Sequence, residues 1–106
     1  MNIKTYFEEN IFTEFYEIVK IYNIVMNQTN FKIEILSSIN KYGEIDHFTA
    51  KCWREIEVKV DNSLEKLSND KVMIWKKVVS FPWINRDTES SATAQALSFL
   101  SEKYQK

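Results

Sequence analysis

His47 and Cys52 are the residues best suited by type to chemistry: the single imidazole and the single thiol of the chain, five residues apart. A nucleophilic pair needs the two side chains in contact, and a metal site needs several ligands converging on one point. The local pattern allows neither. Phe48, Ala50, Cys52, Ile56, Val58 and Val60 share one parity, while Thr49, Lys51, Glu55, Glu57 and Lys59 share the other. Strand side chains alternate between faces, so this stretch reads as a strand with one buried side. Cys52 then points inward as a small apolar residue whose thiol pKa is raised by burial. His47 lies on the outward parity, and its neighbour Asp46 points away from it. No metal, no cofactor and no catalytic residue is expected.

Other catalytic patterns fare no better. Glu55 and Glu57 share a face with Lys51 and Lys59, a mixed-sign solvated row that offers no cleft to shift a carboxyl pKa. Glu8 and Glu9 are paired only in sequence. A phosphate-cradling loop needs several glycines, and Gly43 stands alone.

The signal that remains is aromatic. Trp53 falls on the polar parity of its strand beside Lys51, where the main core is out of reach. Trp75 shares a parity with Lys77, Val79 and Phe81 on the next candidate strand, and Trp83 follows Pro82. If the two parities coincide, Trp53, Trp75, Lys51 and Lys77 occupy one face, with Trp83 at its end. Tryptophan is over-represented at interface hot spots, so these five residues are the expected partner-binding site.

The elements that position this face follow from spacing. Phe7, Ile11, Phe15, Ile18, Tyr22 and Val25 recur at three or four, which predicts a helix over residues 3–26. Phe31, Ile33 and Ile35 alternate with Lys32 and Glu34, and residues 31–60 read as a β-hairpin turning at Gly43. A helical reading of 48–67 also exists, but the β-branched Ile56, Val58 and Val60 favour a strand. Arg54 breaks the alternation and suggests a bulge. Residues 61–70 read as a loop, and 71–81 as a third strand ended by Pro82. A last helix begins near Thr88, with Ala92, Ala96, Phe99 and Leu100 inward and Leu97 with Tyr104 widening that side. The expected fold is α+β, in the order α-β-β-β-α: a three-stranded antiparallel sheet with both helices on one face.

That order is similar to double-stranded-RNA-binding domains, which grip phosphates with lysines at the start of the last helix. Residues 88–94 carry no lysine there, so the similarity is one of topology alone.

Length and composition set the outer limits. The 106 residues suit a single domain spanning 1–106, and 44% apolar with 27% charged residues is ordinary for a globular chain. Fourteen Lys and Arg against fifteen Asp and Glu leave a net charge of −1, which disfavours a strong polyanion binder. The most apolar stretch, residues 18–26, is too short to span a bilayer. One cysteine allows no intrachain disulfide, so a cytoplasmic protein is expected. The favoured role is non-catalytic: a protein–protein interaction or regulatory module whose open sheet face binds another protein or a second copy. A weak nucleic-acid binder is the alternative.

Overall fold

A computed structural model describes residues 2–59 and 71–104. They form α1 (Ile3–Glu8), β1 (Tyr16–Met26), β2 (Thr29–Ile39), β3 (Ile45–Lys59), β4 (Lys71–Lys77) and α2 (Glu89–Tyr104). The strands lie in sequence order, each antiparallel to its neighbour. The expected α+β class with a helix at each end holds, but the sheet has four strands rather than three. The extra strand also breaks the element order shared with double-stranded-RNA-binding domains.

The fourth strand comes from the N-terminal region, where one long helix was expected over residues 3–26. Only Ile3–Glu8 is helical, started by Asn2, whose Oδ1 accepts from the Thr5 amide at 3.0 Å. Residues 16–26 are extended because Ile18, Val19, Ile21, Ile24 and Val25 are β-branched and pack better on a pleated surface than on a helix. The register slips between Ile18 and Lys20, so Val19 is an extra residue that interrupts the alternation. Asn27 and Gln28 both have positive φ, 50° and 63°, and close the hairpin to β2 as a two-residue turn.

β2 and β3 form the expected hairpin. Asn40 Oδ1 accepts from the amides of Tyr42 and Glu44 at 2.9 and 3.1 Å, and Gly43 takes φ +78°. The ladder runs without interruption past Arg54, so the bulge expected there is absent. Arg54 keeps the inward parity, its guanidinium 5.9 Å from the Tyr104 ring centre. The expected loop at 61–70, and Val60, lie outside the described residues.

α2 begins as the sequence implies. Thr88 Oγ1 accepts from the Ser91 amide at 3.1 Å, and Glu89 occupies the positive end of the helix dipole. Ala92, Ala96 and Leu100 are buried against Phe31, Ile33, Ile35, Ala50 and Cys52. The alanines bring the helix close to β2 and β3, on which it packs. Phe99 and Tyr104 pack at the margin of this core, whereas Leu97 faces out at 41% exposure. α1 has no buried residue, and its Tyr6 and Phe7 rings contact Phe12 rather than the sheet core. Helical cover of the sheet therefore comes from α2, not from two helices side by side.

Candidate binding face and adjoining cavity

The ladder registers decide which side chains share the face away from α2. Lys32 pairs with Trp53, Trp53 with Lys77, Glu34 with Lys51, and Glu55 with Trp75. Residues directly opposite in an antiparallel ladder lie on the same side. Trp53, Trp75, Lys51 and Lys77 thus share one face, opposite the parity of Phe31, Ile33, Ala50 and Cys52 that meets α2. Ile21, Val25 and Met73 extend the same face and are exposed.

The two indoles are organised by a residue that sequence reasoning did not single out. Lys32 Nζ lies 5.0 Å from the Trp75 ring centre and 5.8 Å from that of Trp53. Lys77 Nζ approaches Trp53 at 5.6 Å. All three distances suit attraction between an ammonium and the electron-rich ring face. Trp53 Nε1 donates to Glu34 Oε1 at 2.7 Å, and Asn30 Nδ2 donates to Glu55 Oε1 at 3.0 Å. Trp53 is half-buried by these neighbours, while Trp75 keeps 38% exposure. Lys32 and Glu34 were legible from β2, whose inward Phe31, Ile33 and Ile35 place them outward.

Trp83 departs from the expected grouping. It lies in the segment after β4, 66% exposed, with its ring 6.0 Å from that of His47. It lines a cavity of about 360 Å³ at the other end of the face, together with Glu14, Tyr16, Thr49, Lys51 and Lys77. At that end the face is closed: Leu36 and Thr49 have the outward parity yet are buried. Burial first, and then the Glu14 carboxylate, raise the Tyr16 phenol above its ordinary pKa. Thr49 Oγ1 and His47 Nε2 are buried without a hydrogen-bond partner, and Ser37 Oγ shares that condition in the core.

The two groups singled out by type stay apart. Cys52 is 2% exposed in the core under α2, and desolvation pushes its thiol up to about 11. His47 sits on the other face, but Asp46 does not point away from it as expected: the register slips there, with Ser38 opposite His47 and Ile39 opposite Ile45, and Asp46 Oδ2 lies 3.2 Å from His47 Nδ1. Among the described residues no group of three His, Cys, Asp or Glu side chains converges as a metal site. No described helix is long and apolar enough to cross a membrane.

No family model, curated protein or solved structure matches this chain.

Proposed function

We propose that this protein is a non-catalytic interaction module that binds a protein partner through the sheet face opposite α2, the favoured partner being a second copy. The observation that carries the reading is the cluster of Trp53, Trp75, Lys32 and Lys77 on a face that α2 does not cover. Aromatic rings fixed in place lose little entropy on binding, and tryptophan pockets ringed by polar groups dominate interface energies. Lysines 32, 51 and 77 alternate with Glu34, Glu55 and Glu57 across this face. A face of mixed sign leaves room for a twofold arrangement in which lysines of one copy meet carboxylates of the other.

The direct test is solution mass against concentration, read alongside acrylamide quenching of tryptophan fluorescence. A mass rising towards twice 12.6 kDa, with quenching reduced in step, supports the reading. A constant monomer mass with freely quenched tryptophan removes the second copy as partner. The cluster also supports a second reading, since lysines beside tryptophan rings on which bases stack suit single-stranded nucleic acid. That reading requires binding of a short oligonucleotide that weakens steeply with added salt.

A further inference from the structure

The outer edge of β3 is covered at two points and open between them. Near one end the Phe48 amide donates to the Arg86 carbonyl at 2.8 Å, and the Arg86 amide returns a bond to the Phe48 carbonyl at 3.0 Å. Further along, the Val78 amide donates to the Cys52 carbonyl at 3.0 Å. Residues 79–85 leave the ladder between these points and arch away from residues 49–51. Ser80 in this arch has φ +62°, a conformation that L residues seldom adopt, and Pro82 follows it. The arch thereby stands off the strand and leaves the cavity of about 360 Å³ beneath it.

Several kinds of group border that space. The amide and carbonyl of every second strand residue point the same way, so those of Ala50 turn into the gap as Phe48's turn to Arg86. They offer one donor and one acceptor along an edge. Thr49 also borders the cavity, although its Oγ1 is itself buried rather than turned into the open space. Lys51 and Lys77 supply two positive charges, and neither makes an ion pair with a described residue. The rings of Tyr16, Phe81 and Trp83 complete the walls. The one carboxylate, Glu14, acts on Tyr16. Tyr16 aligns through Ser38 with His47, six residues along β3 from the Trp53–Lys77 pair. Negative and positive charge are therefore at opposite ends.

We propose that this cavity, which shares Lys51 and Lys77 with the proposed partner-binding face, binds a small organic anion with a flat, hydrogen-bonding ring. The anionic group, a carboxylate or phosphate, meets Lys51 and Lys77. The ring lies among Tyr16, Phe81 and Trp83 with its polar edge on the Ala50 backbone. The volume is in the range of pockets that hold a small ligand.

The test is a titration of the ¹⁵N-labelled full chain with uridine 5′-monophosphate, phenyl phosphate, uridine and inorganic phosphate. Uridine monophosphate has ring, polar edge and charge together; each other probe lacks at least one. It should bind most tightly, with a Kd of about 1 mM or below, and shift amides of residues 49–52 and 78–83. Lys51→Gln with Lys77→Gln should weaken it about tenfold or more. Trp75→Ala should still bind the probe, which separates ligand binding from association through the indoles. Shifts that do not saturate, that scatter over surface lysines, or that survive the double lysine substitution would overturn the proposal.

Discussion

Trp75→Ala is the sharpest test of the proposed partner-binding face. At 38% exposure, and taking about 250 Å² as the full area of a tryptophan, Trp75 leaves about 95 Å² open to a partner. Burial of that area at about 25 cal/mol per Å² is worth about 2 kcal/mol. A twofold contact uses the side chain once from each copy, so the dimer loses about 4 kcal/mol, or a thousandfold in association constant. The area already covered within one copy sets the cost to the fold. β4 is an edge strand with every residue exposed, so that cost falls on a strand that carries little of the core. Sedimentation equilibrium across a wide concentration range measures the association, and far-ultraviolet circular dichroism with urea unfolding in dilute protein measures the fold. An association constant within threefold of the native value would refute the reasoning. So would a variant that loses its fold, because Trp75 would then be structural rather than part of a docking surface.

Four further outcomes test other parts of the structure. Trp53→Phe keeps a ring but strips Glu34 of its indole donor, so it should destabilise the monomer by about 1 kcal/mol in urea unfolding and weaken association less than Trp75→Ala does. Gln28→Gly, at φ 63° in the β1–β2 turn, should stabilise by about 0.5–1 kcal/mol, since glycine adopts that conformation without strain. Ala96→Leu should cost about 1–3 kcal/mol, because α2 lies close on the sheet there and the larger side chain must push it away. The Cys52 thiol, raised from 9.0 to about 11, gives a stability term fully present below pH 9 and lost as pH rises towards 11, because the unfolded chain releases that proton first. Cys52→Ala should flatten this part of the alkaline decline in Tm, and the native thiol should react with a disulfide reagent only as the chain unfolds.

The N-terminal region shows why part of the fold was hidden. Ile18, Tyr22 and Val25 satisfy a helical stripe, while Tyr22, Ile24 and Met26 satisfy a strand alternation whose inward members pack against the core. Two features tilted the pattern to the wrong period. Val19 is an inserted residue that shifts parity halfway along β1, and Ile21 and Val25 make the outer face apolar as well. A strand apolar on both sides loses the alternation by which strands are recognised. The turn gave no warning either, since Asn27 and Gln28 take positive φ without a glycine between the strands. α2, by contrast, was readable from its start signal and alanine stripe, because close helix–sheet packing leaves little freedom in which residues face inward.

The candidate face survived this misreading because it depends on register in β3 and β4 rather than on strand count. Once Cys52 and Ala50 are inward, Trp53 and Lys51 must be outward, whatever lies beyond β2. Trp75 then follows from the ladder, opposite Glu55. What parity cannot give is the third dimension of a long side chain. Lys32 reaches both indoles because it belongs to the strand beside Trp53, and that adjacency exists only after the sheet forms. The same limit applies to Trp83, placed by the arch after β4 and not by any strand, so its proximity in sequence to the face did not make it part of the indole cluster. The misread outer face of β1 strengthens the functional reading for a related reason. Ile21 and Val25 are exposed apolar side chains on the same side as Trp75 and Met73. Apolar side chains spread along the outer surface of both edge strands are costly in an isolated monomer, and a partner laid across the sheet would remove all of them from solvent together.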